Sequence, residues 1–192
     1  MKSLRILLAA IASSVTLGGV ASAQGLFNFE PVDGYFYLAG FVGVAVPDDV
    51  AGISLDTDVN YGGAIGAQLP FKSLNVIHTR IEAEVSYFET GLGDFAGGPS
   101  IDNLFIYGNS FADFIWRENQ AVIPYIGGGL GVAITDTDQI GSDTNFSNHT
   151  TIGLTVPINN LDLYAEGRYF QIFADGPNPD GFTFSGGLRW KF

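Results

Sequence analysis

The 192-residue chain has no cysteine and a single methionine. Disulfides are therefore unavailable, and an exported domain of this size without them must rely on burial or on a membrane. Basic residues are scarce: eight Lys and Arg stand against twenty Asp and Glu, a net charge of −12. There is no basic patch, and no nucleic-acid partner is expected. Charged residues make up 15% of the chain, where a water-facing domain carries about 25%. That charge is too thin to cover a solvated surface. Long apolar runs are missing as well. After the N-terminal stretch nothing approaches the ~18 apolar residues of a spanning helix. No phosphate loop and no cluster of zinc ligands occurs, so no cofactor is expected.

What is present begins with a basic start, Met1-Lys-Ser-Leu-Arg5, then an apolar run from Ile6 to Val20, then Ala21-Ser-Ala23. This order predicts a signal peptide over 1–23, cut before Gln24, and one domain over 24–192. The alternative, a retained anchor, is disfavoured by Ser13-Ser14 and Gly18-Gly19, which interrupt a run already too short.

The rest of the chain alternates apolar and polar residues in segments of about ten. Eight are expected: Tyr35–Val46, Val59–Leu69, Ile77–Phe88, Leu104–Phe114, Pro124–Ile134, Asn148–Ile158, Leu161–Phe170 and Phe182–Phe192. Each matches the ~9–11 residues with which a tilted strand crosses a bilayer. Connections after the second, fourth and sixth are short, with 157–160 the tightest, and the others are longer. The fold class is all-β: an eight-stranded antiparallel transmembrane up-and-down barrel.

Parity sorts the residues onto two faces. One holds Phe36, Leu38, Ile65, Val85, Ile126, Leu154, Leu163, Leu188 and their like, with no charge. The other holds Arg80, Glu82, Glu84, Asp113, Asp162, Glu166, Arg168, Arg189 and Lys191. A soluble barrel would turn the apolar face inward. The sparse, nearly balanced charged face favours the reverse, with charge inside and hydrocarbon outside. Trp116, Trp190, Phe192, Tyr35 and Tyr37 are expected to form one aromatic girdle.

The last residues, Ser185-x-Gly187-x-x-Trp190-x-Phe192, resemble the C-terminal assembly signal of bacterial outer-membrane proteins. Gly34-Tyr-Phe-Tyr-Leu-Ala-Gly-Phe-Val-Gly, Pro124-Tyr-Ile-Gly-Gly-Gly-Leu-Gly-Val and Gly167-Arg-Tyr-Phe170 resemble the small OmpA/OmpX-like barrels. The resemblance covers the whole mature chain. It implies a bacterial outer-membrane location and contact with outer-membrane lipid and lipopolysaccharide. It also implies that the barrel-assembly machinery reads Ser185, Gly187, Trp190 and Phe192, and that the chain is a monomer. A fold of this kind hosts many roles.

Three features bear on chemistry. The inward charges are expected to pair, Arg80 with Asp113, Asp162 with Lys191 and Glu166 with Arg189, as a packed lumen or, alternatively, along a narrow passive channel. His149 and Thr151 share a face, the minimum for a nucleophile and its base, as in lipid A-modifying barrel enzymes. Their expected partners Phe170 and Arg168 offer no acid, and the expectation is no catalysis. Finally, the longer connections hold twelve acids and no Lys or Arg: Asp48, Asp49, Asp56, Asp58, Glu89, Asp94, Asp102, Asp136, Asp138, Asp143, Asp175 and Asp180. They form an acidic outer cap, with a structural or surface-interaction role expected for the whole. Asp136, Asp138 and Asp143 are weak divalent-cation candidates. Asp136-Thr-Asp138-Gln-Ile-Gly141 resembles an EF-hand loop, but Ile140 and Ser147 stand where ligands are needed. Lys72 and Arg117 fall in the opposite, short turns.

Overall fold

Period-two alternation commits a segment to an extended chain with two distinct faces. All eight expected segments are strands in the computed structural model, which describes residues 29–48, 57–91, 100–137, 141–174 and 178–192. The expected signal peptide lies outside the described residues. A three-residue strand, β1 (Phe29–Pro31), precedes the eight. The others are β2 (Tyr35–Pro47), β3 (Asp58–Ser73), β4 (Ile77–Gly91), β5 (Ser100–Phe114), β6 (Ile123–Thr137), β7 (Gly141–Ile158), β8 (Leu161–Phe173) and β9 (Asp180–Lys191).

Neighbours in sequence pair antiparallel, and β9 returns to pair with β2, closing a ring of eight. β1 continues the edge of β2 along the inner end of β3, where Glu30 meets Lys72 at 2.9 Å. Lys72 is thus a strand residue rather than a turn residue. Register can be followed round the ring through Lys191, Tyr37, Gly66, Glu82, Asn109, Gly129, His149 and Phe170 to Gly181. The row comes back to its own strand ten residues from its start. A stagger of that size over eight strands tilts them by about 40° and leaves an interior that side chains fill.

At the inner end the turns are tight. Leu74 and Asn75 both take positive φ, with the Val76 N–H donating to the Ser73 carbonyl. This is the mirror-image turn that suits the twist of a hairpin. β7 and β8 meet through Asn159 and Asn160 alone, with Asn159 at positive φ. β7 ends at Ile158, as the expected segment Asn148–Ile158 does, so the connection is narrower than 157–160. Between β5 and β6 the Gln120 side chain accepts from the Trp116 N–H and donates to the Phe114 and Val122 carbonyls.

At the outer end the strands run further than the alternation. β4 ends at Gly91, β5 begins at Ser100, and β7 begins at Gly141. Asp58, Glu89, Asp102, Asp136, Asp143 and Asp180, expected in connections, therefore lie in strands. Above a bilayer both faces of a hairpin are wet, so the apolar alternation stops while the backbone ladder continues. Asp49, Asp56, Asp94, Asp138 and Asp175 lie outside the described residues.

The apolar face points out. Phe36, Ile152 and Phe192 are each more than 60% exposed, whereas Arg80 is fully buried. Trp116, Trp190 and Phe192 form the inner girdle with Phe36. Tyr35 and Tyr37 do not join it. They share the parity of Ala39, and Tyr37 is fully buried in the lumen. A second girdle, not anticipated, circles the outer end. It pairs Tyr61 with Tyr87, Tyr169 with Phe182, and Phe146 with Phe173. Inside, aromatic rings lie across glycines of the next strand. A Cβ on Gly66, Gly153 or Gly187 would strike the ring of Tyr37, Tyr125 or Tyr164 respectively. Part of the high glycine content is thus spent on bringing rings against backbone.

Candidate functional site

A charge inside a barrel is tolerated only if its neighbours replace water. The inner half of the lumen does this with aromatic rings and carboxylates together. Arg80, on β4, donates from Nε to Asp113 Oδ2 at 2.6 Å and from Nη1 to Glu82 Oε1 at 2.8 Å. The Tyr37 hydroxyl bridges the same group, accepting from Arg80 and donating to Glu82 at 2.8 Å. The Arg80 guanidinium carbon sits 4.7 Å from the Phe111 ring centre and 5.1 Å from that of Tyr125. Such desolvated cation–π contacts are worth about 2 kcal/mol each.

Arg189 repeats the arrangement against Tyr37 and Tyr164, at 5.1 and 5.0 Å, and reaches Asp162 at 3.4 Å. Lys191 meets the other oxygen of Asp162 at 2.8 Å. The expected partner of Arg189 was Glu166, but β8 and β9 pair with Asp162 directly opposite Arg189 and Glu166 opposite Ser185.

Midway up, Arg168 grips Glu84 with two hydrogen bonds, 2.6 and 2.8 Å, and Glu166 with a third at 3.0 Å. Glu166 also accepts from the Tyr125 hydroxyl, which ties this layer to the Arg80 layer. The Asn109 amide donates to Glu84 at 2.8 Å, so its Oδ1 is left to accept from His149 Nε2 at 2.9 Å. That assignment makes His149 the Nε2–H tautomer, and its Nδ1 accepts from the Thr151 hydroxyl at 3.0 Å. Hydroxyl, imidazole and an orienting amide are thus in line, as a nucleophile and base would be. Access is what is missing: Thr151 is fully buried and His149 is 3% exposed. Asn109, the orienting residue, was not singled out for that task from sequence. Its inward parity beside His149 was the available signal.

Above this layer the lumen turns apolar. Phe88, Phe105 and Phe170 meet with ring centres 5.5 to 5.8 Å apart, joined by Tyr107 and Ile172. Between this plug and Arg168 lies a half-open pocket of ≈ 10 Å³, bordered by Asn60, Ser86 and Thr183, about enough for one water.

At the rim, Glu89 stands directly opposite Asp102, and Asp102 directly opposite Asp136. Asp102 accepts from the Tyr87 hydroxyl at 2.6 Å. Asp143 pairs across with Thr135, on the other face from Asp136, and accepts from the Thr144 N–H. The two described cation candidates therefore do not converge, and no trio of metal-ligating side chains forms among the described residues. Asp138 lies outside them.

In the terminal strand, Trp190 and Phe192 face out together, ring centres 5.8 Å apart, and the Phe192 N–H donates to the Phe36 carbonyl. Ser185 faces in and accepts from Asn60, and Gly187 lies against Tyr164.

No family model matches the chain, and no curated protein matches it in sequence. Solved structures do match in fold. Neisserial surface protein A (NspA) superposes with a TM-score of 0.60 at 18% identity, covering 83% of this chain and 99% of that one. Ail, the attachment invasion locus protein of Yersinia pestis, in complex with the heparin analogue sucrose octasulfate, gives 0.56 at 16% over 84% and 99%. The N-terminal β-barrel domain of Pseudomonas aeruginosa OprF gives 0.51 at 16% over 85% and 100%. The fold is thus that of the small OmpA/OmpX-like barrels. With an apolar exterior, two aromatic girdles and buried charge, the chain is a membrane-spanning barrel of the outer-membrane type.

Proposed function

We propose that this protein is a sealed, monomeric outer-membrane barrel with a structural and surface-interaction role, presenting an acidic rim outside the cell and performing no catalysis. The observation that carries this reading is the filled lumen. An ion entering from the rim meets the Phe88, Phe105 and Phe170 plug, then the Arg168 layer, then the Arg80 layer. An acyl substrate finds the Thr151 hydroxyl fully enclosed.

The same reading takes outer-membrane lipid and lipopolysaccharide as neighbours. It takes Ser185, Gly187, Trp190 and Phe192 as the segment offered to the barrel-assembly machinery, on the strength of the outward pair of rings at the chain end. It also fixes the sign of a soluble partner. None of the eight Lys and Arg lies in the outer connections, so sulfated or phosphorylated polyanions are repelled and basic or neutral partners are admitted.

Single-channel recording in planar bilayers tests the seal. The expected record is flat at a protein load where an open porin gives steps, and regular unit steps would overturn the reading. Unchanged lipid A by mass spectrometry after incubation with the folded protein is the matching expectation for catalysis.

A further inference from the structure

Among the described residues, the hydrocarbon-facing surface carries a cluster of polar side chains that stand without partners. On β7 the outward residues run Ile158, Val156, Leu154, Ile152, then Thr150 and Asn148, then Phe146. On β8 the outward run from Leu163 reaches Tyr169, Gln171 and then Phe173. Asn148 and Gln171 are direct cross-strand partners, and Thr150 is opposite Tyr169. The side chains of Asn148, Gln171 and Thr150 make no hydrogen bond among the described residues, and each is half-buried. Phe146 and Phe173 pack above them, with tilted rings whose centres are 5.6 Å apart.

Depth identifies what can answer these groups. From Ile158 at the inner girdle to Asn148 is ten residues of β7, and from Leu161 to Gln171 ten residues of β8. At ~3.3 Å per residue and a tilt of about 40°, both amides stand about 25 Å above the inner girdle. That is the height of the apolar band of such barrels. The amides therefore lie at the boundary where hydrocarbon gives way to the carbonyls that join acyl chains to a headgroup. Lower down, an unpaired amide would cost several kcal/mol, and higher up water would satisfy it. The patch is only two amides and a hydroxyl wide, between aromatic rings, which is small for a protein interface.

We propose that Asn148 and Gln171, with Thr150 beneath them, form a lipid seat on the β7–β8 face. It takes the carbonyl linkages of one outer-leaflet acyl lipid by hydrogen bonding. The seat is neutral, in keeping with a rim that offers no cation to a headgroup phosphate. Its ligand class is an ester- or amide-linked acyl lipid, recognised at the linkage and not by charge. The inference rests on the membrane reading above.

The test compares a lipid having these carbonyls with one lacking them. Folded protein in micelles is offered equal amounts of dimyristoyl phosphatidylcholine and its ether-linked analogue, and retained lipid is read by native mass spectrometry. The wild type is expected to retain the ester lipid over the ether by a factor of about five, the worth of one or two net hydrogen bonds. In the double variant Asn148→Val, Gln171→Val the ratio should fall to about one. Ser110→Val, elsewhere on the outer face, should leave the wild-type ratio unchanged. Equal retention by the wild type overturns the seat, as does a preference that survives the double variant. A wild-type dimer that the double variant loses overturns it in favour of a second copy of the chain. Gel mobility with and without boiling separates these outcomes from failure of the membrane reading, because a chain that is no membrane barrel shows no heat-dependent shift in any variant.

Discussion

The two halves of the lumen fill the same cylinder by opposite means. The inner half holds four cations and five carboxylates, and Arg80 and Arg189 are each pressed between aromatic faces. The outer half, below the acidic rim, holds a plug of phenylalanines. If lumen polarity served hydration alone, both mouths would carry charge and hydrocarbon would lie at the centre. The observed order makes the buried charges a cross-link between strands. Arg168 joins β8 to β4 through Glu84, and Tyr125 carries the connection to β6 through Glu166. A network of this kind adds little net stability over a well-packed apolar core, but it penalises any register in which one member loses its partner.

Breaking one member of the charged half should have the largest effect. Arg168→Met leaves Glu84 and Glu166 buried without a cation. The expected loss is about 4 kcal/mol, measured as a lowered urea midpoint of the folded, heat-modifiable form in micelles. Replacing Glu84 by Leu in the same chain should recover much of it, since an uncompensated charge is then removed. No recovery would mean that the layer stabilises as a network and not through its charge balance.

Cutting the apolar half should cost somewhat less. Phe105→Ala removes a ring from the plug and should destabilise by about 3 kcal/mol, near the lower end for buried phenylalanine because the mouth is close to water. Bilayer conductance should remain flat in this variant, because the Arg168 and Arg80 layers still close the lumen. Unit steps in Phe105→Ala would show that the plug alone is the seal, and the two halves would then differ in function as well as in filling.

Within the charged half sits a contact of ring and glycine. Gly66→Ala places a methyl group against the Tyr37 phenol, which is held by both Arg80 and Glu82 and has little freedom to retreat. Overpacking of this kind should cost about 2 kcal/mol by the same urea assay. Gly40→Ala, where the outer face is open, should cost much less.

How far the sequence carried depended on what held each register. Between β7 and β8 the turn is two residues long, and the pairs read from it, His149 with Phe170 and Thr151 with Arg168, are the observed ones. A short turn leaves the ladder no freedom to slip. β8 and β9 are joined by a longer connection, and there Arg189 faces Asp162 where Glu166 was expected, although the expected pair of Asp162 with Lys191 does form at 2.8 Å. Arg80 lies opposite Phe111, yet it still reaches Asp113 because its side chain spans the diagonal. Parity outperformed residue type. Tyr37 was assigned to the girdle for being aromatic, whereas its neighbours Phe36 and Leu38 face out and so send it inward. The rim failed for another reason. Asp, Thr and Ser at strand ends read as loop by composition, although in water a hairpin needs no apolar face to keep its backbone hydrogen bonds.

The rim also gives the mildest prediction, and one that no lumen variant can mimic. Glu89, Asp102 and Asp136 lie directly across from one another on three successive strands. Like charges so placed repel by roughly 0.2–1 kcal/mol per pair. Asp102 is the middle one, so Asp102→Asn removes both repulsions at once while an amide oxygen remains to accept from Tyr87. Stability should rise by about 0.5–1 kcal/mol at low salt, and the gain should fade by 1 M salt, where screening acts within about 3 Å. Arg168→Met, shielded in the lumen, should show the same loss at both salt concentrations. If the two variants responded alike to salt, either the lumen would be wet or the rim acids would be further apart than their register requires.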